Sequence, residues 1–288
     1  MELLSVVRVY RPLRGACYTQ PSRAISLFTG QTMRGAQHTS VLNFPSAAPP
    51  QLNIDDHALF LDLDGTLVAI EERPNDVRAG PQLRALLNGL SSDMSNALAI
   101  VTGRSLADLK DIIGDGVYHA AGIHGFEIQR GARVSRDQFE PTQLAAARED
   151  IGRMLQQRDL PALIEDKHAS LALHYRQIPD AEAAIQSIAR EVASAHGLRV
   201  LQGKMVVELI ATARTKGYAV TVLMAAPPFS GRIPIAIGDD RTDEDAFLAA
   251  KRMGGFGVLV GERRASAADF MLPSTEAVIA WLNDGRQS

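Results

Sequence analysis

The stretch His57-Ala58-Leu59-Phe60-Leu61-Asp62-Leu63-Asp64-Gly65-Thr66 joins an apolar run to two closely spaced aspartates. A short apolar run that stops at a glycine predicts a buried strand of a parallel sheet. Because side chains alternate along a strand, Asp62 and Asp64 should project to one side at its carboxyl end, where open α/β sheets bind ligands. Two carboxylates this close repel each other unless a cation lies between them, so the pair predicts a Mg²⁺ site. The alternative is an acidic turn, since Asp-Gly is a common turn dipeptide.

Two more apolar runs end in polar residues just before a predicted helix. Thr102 follows Ala99-Ile100-Val101, and a helical pattern then begins at Ser105. Asp239 follows the apolar run 235–238 and also precedes a helical pattern. Both residues are therefore predicted to lie in loops at the carboxyl ends of strands, as one shared site requires. Taken singly, each has a structural alternative, because such residues often cap or open a helix.

Four short motifs resemble those of the haloacid-dehalogenase-like phosphatases: Asp-Leu-Asp-Gly-Thr at 62–66, Thr-Gly-Arg at 102–104, Thr-Lys-Gly at 215–217 and Gly-Asp-Asp-Arg-Thr-Asp at 238–243. The resemblance implies an α/β fold with a Rossmann-like parallel-sheet core of the haloacid dehalogenase type and an inserted α+β cap domain. It implies that Asp62 is the nucleophile and Asp64 the general acid and base. It also implies that Thr102 and Lys216 hold the phosphate, although a lone lysine is more often solvated.

The same resemblance implies a metal site built from the first and last of these motifs. Asp62, Asp239 and the backbone carbonyl of Asp64 are the implied ligands of Mg²⁺. Asp243 is expected to orient Lys216 or a metal-bound water, and not to bind the metal directly.

Between residues 119 and 215 the pattern leaves the core sheet and returns to it. Helices are predicted over 142–157 and 180–196, and strand pairs over 162–176 and 198–210, in the order α-β-β-α-β-β. This order resembles the cap of the sugar-phosphatase branch of the superfamily. The predicted organisation is a catalytic core at 51–126 and 211–288 and a cap at 127–210 that determines substrate specificity. Strand alternation places His174 and Arg176 on one face, where the pair could line a polar cleft.

Further motifs resemble the trehalose-phosphatase family: Gly-x-His-Gly-x-Glu at 122–127, Lys-x₆-His-Tyr-Arg at 167–176, Gly-Lys-x-x-x-Glu at 203–208 and Gly-Asp-Asp-x-Thr-Asp-Glu at 238–244. The resemblance implies a phosphoric monoester hydrolase that converts trehalose 6-phosphate to trehalose through an aspartyl-phosphate. This is the last step of trehalose biosynthesis, so trehalose-6-phosphate synthase is the implied pathway partner. The residues expected to bind the sugar are His124, Glu127, Lys167, Arg176, Lys204 and Glu208.

Two other functions stay open at this point. A phosphatase for another sugar phosphate, such as sucrose phosphate or mannosyl-phosphoglycerate, would share the core and differ in the cap. A catalytically silent sugar-phosphate sensor or partner subunit is the more distant alternative. Loss of Asp62, Asp64 or Lys216 would be its usual mark, and all three residues are present.

Composition agrees with an enzyme that acts on a small molecule. The 288 residues are 46% hydrophobic and carry a formal net charge of −3, which shows no nucleic-acid signature. No apolar run reaches the roughly 20 residues that a membrane helix needs, so no membrane partner is predicted. The single Cys17 cannot form an internal disulfide, and a cytoplasmic location is expected.

Residues 1–50 differ from the rest in charge. Five arginines over 8–34 are opposed by one acid, Glu2, among scattered Ser, Thr, Gly and Pro. Such composition predicts a disordered extension. It also resembles an organelle transit peptide, and a dispensable extension is the favoured alternative.

Overall fold

The computed structural model describes residues 44–71, 76–114, 116, 119–138, 141–167, 169–203 and 205–286. The strands are β1 (His57–Leu61), β2 (Leu98–Val101), β3 (His119–Gly122), β4 (Glu127–Arg130), β5 (Arg133–Arg136), β6 (Leu163–Asp166), β7 (Ser170–His174), β8 (Arg199–Gly203), β9 (Val206–Ile210), β10 (Ile233–Gly238), β11 (Phe256–Val260) and β12 (Phe270–Leu272). The helices are α1 (Pro81–Asp93), α2 (Leu106–Ile113), α3 (Pro141–Gln157), α4 (Glu182–His196), α5 (Lys216–Met224), α6 (Glu244–Arg252) and α7 (Thr275–Arg286).

The larger of two sheets has the strand order β12-β11-β10-β1-β2-β3-β4-β5. From β12 to β3 all neighbouring strands are parallel, whereas β4 and β5 add an antiparallel hairpin at one edge. The strand β1 lies in the middle, and its residues 58–61 are at most 1% exposed. The buried parallel strand predicted from the opening motif is therefore confirmed.

Five helices complete the core around this sheet. They include two packed pairs, α1 with α7 and α5 with α6. Each helix contributes apolar side chains to one continuous core, for example Leu90, Ile112, Val220, Phe247 and Leu282. The Rossmann-like α/β core predicted from the sequence is confirmed. Among the described residues, no helix combines the length and apolar character needed to cross a membrane.

The second sheet lies within the predicted cap. Its order is β6-β7-β9-β8 with all pairs antiparallel, and α3 and α4 flank these strands in the chain. One face packs on the two helices through a separate apolar cluster that includes Leu173, Tyr175, Ile151 and Ile188. The predicted order α-β-β-α-β-β is confirmed. Because Leu173 and Tyr175 point into this cluster, the intervening His174 points the other way.

The boundaries differ from those predicted. The predicted core-to-cap boundary after residue 126 falls just before β4, yet β4 and β5 pair in register with β3 and extend the large sheet to Arg136. In this hairpin β4 buries Glu127 and Ile128, whereas β5 is exposed along its length. The division into core and cap domains stays a prediction, with its first boundary moved beyond 136.

The predicted disorder over 1–50 is wrong for residues 44–50. The carbonyl of Phe44 accepts from Arg263 at 2.9 Å, that of Ala47 from the Met271 amide at 2.9 Å, and that of Pro50 from Trp281 at 3.0 Å. These three hydrogen bonds to backbone carbonyls hold the segment against the core. Residues 1–43, where the remainder of that prediction falls, lie outside the described part of the chain.

Candidate active site

Asp62 directly follows β1 and meets Lys216 from a distant part of the chain. Its amide donates to the carbonyl of Ile237 on β10, which extends the sheet by one bond. Its carboxylate accepts from Lys216 Nζ at 2.7 Å and from Thr66 Oγ1 at 3.3 Å. Asp62 is 5% exposed, and burial raises the pKa of its carboxyl even though the Lys216 charge opposes the change.

Lys216 is a buried cation between two carboxylates. The alternative that this lysine is exposed to solvent is therefore wrong. It is the first residue of α5, where Thr215 caps the helix by accepting from the amide of Tyr218. Its Nζ donates to Asp62 and to Asp243, each at 2.7 Å. Burial disfavours its charge, but Asp243 and Asp62 outweigh burial and hold the pKa of Lys216 above its ordinary value. The lysine therefore stays charged in the site.

The loop after β10 fixes Asp243 in this position. One oxygen of Asp243 binds Lys216, and the other accepts from the amide of Asp240 at 3.1 Å. The contact agrees with the expectation that Asp243 orients Lys216.

Three acidic residues converge beside this lysine. Carboxylate oxygens of Asp62, Asp239 and Asp243 lie within 4.8 Å of one another. Burial, together with the charges of Asp62 and Asp243, raises the pKa of Asp239 to about 8. Gly65, at φ +85°, packs so closely on Asp239 that a Cβ would collide with its carboxylate. Carboxylate oxygens gathered at this density fit a hard divalent cation. The site could hold a metal ion.

The carboxylate of Asp64 lies apart from this acidic group. It is engaged by Arg104, whose Nε donates to Oδ2 at 2.7 Å and whose Nη2 donates to Oδ1 at 2.6 Å. Sequence reasoning placed Arg104 in a motif and assigned it no role. The two residues are 40 positions apart, and no spacing rule connects them.

Thr102 directly follows β2 and is 1% exposed. Its amide donates to the carbonyl of Ala121 on β3, and its own carbonyl accepts from the amide of His124. Its hydroxyl accepts from the amide of Arg104 at 3.1 Å. The helix cap belongs instead to Ser105, which accepts from the amide of Asp108. Thr102 is therefore not the cap of α2, and its side chain lines the same cavity as Asp62.

One cavity brings the core motifs and the cap motifs together. From the core it is lined by Asp62, Asp64, Thr102, Arg104, His124, Lys216 and Asp239. From the cap it is lined by Glu165, Lys167, His174, Arg176, Leu201 and Glu208. Lys204 lies outside the described residues. The acidic residues and Lys216 of the core thus share one cavity with the polar cap residues Glu165, Lys167, His174, Arg176 and Glu208, which we call the polar roof.

The roof is centred on Glu208, which is 6% exposed. Its carboxylate accepts from Ser170 Oγ at 2.5 Å, contacts His124 Nε2 at 3.1 Å and lies 3.6 Å from Lys167 Nζ. Burial opposes ionisation, but the charges of Lys167 and His124 outweigh it and lower the pKa of Glu208. Glu208 is therefore an anion in the cavity.

Glu165 forms a second acidic contact in the roof and was missed by sequence reasoning. Its carboxylate contacts His174 Nε2 at 2.7 Å and lies 4.0 Å from Lys167 Nζ. The pairing follows from the antiparallel register of β6 and β7. A signal was available, because Glu165 lies two residues before Lys167, the first residue of the Lys-x₆-His-Tyr-Arg motif.

His124 connects the core to the cap. It follows β3 with φ +55°, and its ring packs so tightly on Gly103 that a Cβ there would lie 2.9 Å away. Its Nε2 reaches Glu208 on β9. His124 thus lies at the cavity wall and contacts Glu208. Both residues were predicted to bind the sugar.

The structure does not bring Glu127 to this cavity. The residue lies on β4, is 5% exposed, and accepts from the amide of Leu106 at 2.8 Å and from Arg136 Nε at 2.7 Å. The amide of Leu106 lies in the first turn of α2 and has no acceptor within the helix, so Glu127 supplies its hydrogen-bond acceptor. This position gives Glu127 a structural role instead of the predicted contact with sugar.

Comparison with known proteins gives concordant results. Residues 60–276 match the family model described as trehalose-phosphatase. A probable trehalose-phosphate phosphatase of Sinorhizobium fredii is 38% identical over 237 residues, covering 78% of this chain and 86% of that protein. The trehalose-6-phosphate phosphatase of Escherichia coli is 33% identical over 246 residues, covering 83% and 89%. A solved C-terminal domain of C. albicans trehalose-6-phosphate phosphatase shares the fold at a TM-score of 0.74 and 22% identity, covering 83% of this chain and 98% of that one.

Proposed function

Because the chain belongs to the trehalose-phosphatase family, we propose that it hydrolyses trehalose 6-phosphate to trehalose and inorganic phosphate. One observation carries the proposal: the cavity that holds Asp62 and Lys216 is roofed by the polar residues Lys167, Arg176 and Glu208. A sugar bound under that roof would present its phosphate to the core. Trehalose-6-phosphate synthase as pathway partner and a cytoplasmic location stay predictions from the sequence.

In the first half of the proposed reaction, a carboxylate oxygen of Asp62 attacks phosphorus. The bond from phosphorus to the sugar oxygen breaks, an aspartyl-phosphate forms, and Asp64 gives its proton to the departing oxygen. In the second half, Asp64 takes a proton from a water that attacks phosphorus, which frees phosphate and restores Asp62. We assign Lys216 and Thr102 to bind phosphoryl oxygens through both halves, a role supported by their position in the cavity lining beside Asp62.

We assign the metal to the acidic group, with Asp62, Asp239 and the backbone carbonyl of Asp64 as ligands and Mg²⁺ as the ion. Lys216 Nζ already donates to Asp62 and Asp243, so Asp239 is the member of this acidic group that gains most from a bound cation. When bound, Mg²⁺ would offset the charge of the phosphate against that of the Asp62 carboxylate.

Metal removal is expected to stop turnover reversibly. Dialysis against chelator should lower phosphate release by at least about a hundredfold, since the phosphate would then meet uncompensated carboxylates, and Mg²⁺ should restore it. Mg²⁺ should also raise the melting temperature of the wild type, because a ligand that binds only the folded state stabilises it. This shift should vanish in Asp239→Asn and persist in Asp269→Asn, which alters the half-buried partner of Lys251. Full activity in chelator would contradict the metal assignment.

The polar roof supports the choice of a sugar. Lys167 and Arg176 offer donors and Glu208 offers an ionised acceptor, as recognition of sugar hydroxyls requires. Lys204 is proposed as a further donor from the motif alone. His174 and Glu165 complete the roof, because their 2.7 Å contact orients both side chains on the cavity wall.

Glu208→Gln is expected to weaken use of the sugar substrate selectively. One charged hydrogen bond would become neutral, so kcat/KM for trehalose 6-phosphate should fall about ten- to a hundredfold. Hydrolysis of 4-nitrophenyl phosphate, which has no sugar to grip, should change less than about threefold. Glu182→Gln is the matched cap control, because Glu182 pairs with Tyr175 and Gln186 and does not line the cavity. Equal losses on both substrates would remove Glu208 from the sugar site.

The substrate itself is tested by phosphate release from a panel of sugar phosphates. We expect kcat/KM for trehalose 6-phosphate to exceed that for sucrose 6-phosphate and glucose 6-phosphate by at least about a hundredfold. Preference for another sugar phosphate would leave the proposed mechanism standing but show that the proposed substrate is wrong. No release from any of them by folded, Mg²⁺-loaded protein would favour the silent sensor.

A further inference from the structure

The contact between Arg104 and Asp64 has the form of a clamp. Two nitrogens of one guanidinium bind the two oxygens of one carboxylate at 2.7 and 2.6 Å. The Arg104 side chain is 12% exposed and that of Asp64 is 31% exposed. Such a fork constrains both the position and the rotation of the carboxylate. Surface ion pairs rarely do this, because water competes for the charges.

The backbone of Arg104 is held from both sides. Its amide donates to Thr102 Oγ1 at 3.1 Å, and its carbonyl accepts from the amide of Ile123 at 2.8 Å. Gly122 packs directly beneath, because a Cβ there would lie 2.9 Å from that carbonyl oxygen. The guanidinium thus projects from a fixed loop toward a carboxylate that emerges from another strand.

Resting on the proposed role of Asp64 as general acid and base, we propose that Arg104 is the positioning residue for this carboxylate. The guanidinium binds Asp64 in its deprotonated form. Asp64 reaches this form once its proton has passed to the sugar oxygen. In the first half-reaction the proton leaves Asp64 as the bond from phosphorus to sugar oxygen breaks, and Arg104 receives the resulting anion. In the second, the carboxylate takes a proton from water and one of its two bonds to Arg104 must loosen.

Other charged groups around Arg104 are consistent with this role. The Asp64 contact, together with the charges of Glu165 and Asp108, raises the pKa of Arg104 against the effect of burial. Glu165 belongs to β6, and its own contacts are with His174 and Lys167. Asp108 is engaged with Ser105 at the start of α2 and does not compete for the fork.

The test separates positioning of the acid from binding of the phosphate. Phenyl phosphate has a poor leaving group that needs a proton, whereas 4-nitrophenyl phosphate has a good one that does not. For each, kcat/KM reports the step that breaks the bond to the leaving group. Arg104→Gln should lower kcat/KM at least tenfold more on phenyl phosphate than on 4-nitrophenyl phosphate. Arg104→Lys keeps the charge without the fork and should recover part of the loss.

A double variant links the effect to Asp64. Asp64→Asn should show the same leaving-group pattern, and adding Arg104→Gln should cost less than about threefold more. Arg286→Gln breaks the pair between Arg286 on α7 and Asp93 on α1. This control should leave kcat/KM unchanged on both substrates. Melting temperatures would identify any variant that fails to fold, and Arg104→Lys then carries the comparison.

Three results would overturn the proposal. Equal losses on both phosphates would place Arg104 on the phosphate and not on the acid. Losses that multiply in the double variant would show that Arg104 acts independently of Asp64. No leaving-group pattern in Asp64→Asn itself would remove the role of Asp64 as well, which distinguishes failure of the underlying mechanism from failure of the clamp alone.

Discussion

Asp62→Asn is expected to abolish turnover, with a loss of at least about a thousandfold in kcat on trehalose 6-phosphate and on aryl phosphates alike. An amide has nearly the shape of the carboxylate but lacks the charge and nucleophilicity needed to attack phosphorus. Phosphate release under saturating Mg²⁺ measures the effect. The loss should be independent of the leaving group, because the bond to phosphorus cannot form with any substrate.

The fold should survive this change, because Asn can still accept from Lys216, and Asp243 remains as a second partner at 2.7 Å. Asp93→Asn is the matched control, since Asp93 on α1 pairs with Arg286 on α7 and does not line the cavity. Melting curves should show Asp62→Asn folded. Turnover within tenfold of the wild type would remove Asp62 from the role of nucleophile.

Lys216→Gln has the second largest expected effect, a loss of about a hundred- to ten-thousandfold in kcat. The buried ammonium donates to Asp62, the proposed nucleophile, and removal of one donor to a developing negative charge commonly costs about a hundred- to a thousandfold. The change also leaves Asp62 and Asp243 facing each other without the charge between them. Lys216→Arg should restore little, because a planar fork does not fit a slot that is 3% exposed.

Lys251→Gln provides the comparison for Lys216. Lys251 also pairs with an aspartate at 2.7 Å, Asp269, but it is one-third exposed and does not line the cavity. Lys251→Gln should leave kcat unchanged. A Lys216→Gln enzyme that keeps more than a tenth of wild-type kcat while folded would contradict a role in phosphoryl transfer.

The sequence was sufficient for elements whose signal is local. The apolar run before Asp62 predicted β1 because burial on both faces of a parallel sheet needs such a run. The cap order was readable because α3 and α4 carry helical periodicity and their strands alternate. Gly197, at φ +63°, ends α4 as predicted, since a left-handed residue there favours glycine.

Pairings between distant residues could not be read in this way. A motif gives the residue types of a site, but the partner of Asp64 depends on where the loop after β2 lies. Glu127 matched a sugar-binding motif, yet the position of α2 gives its carboxylate an amide to accept from. Residues 127–136 were assigned to the cap with no strand predicted there, and only the pairing of β4 with β3 joins the β4–β5 hairpin to the large sheet.

The central claim is that Asp62 takes the phosphoryl group from trehalose 6-phosphate. Rapid quench of the Mg²⁺-loaded enzyme with trehalose 6-phosphate labelled at phosphorus tests it most directly. We predict a transient label on the protein, in a peptide containing residue 62, that forms before free phosphate and is absent from Asp62→Asn. Label on another residue, or phosphate released in a single turnover without labelled protein at any time point, would contradict the account.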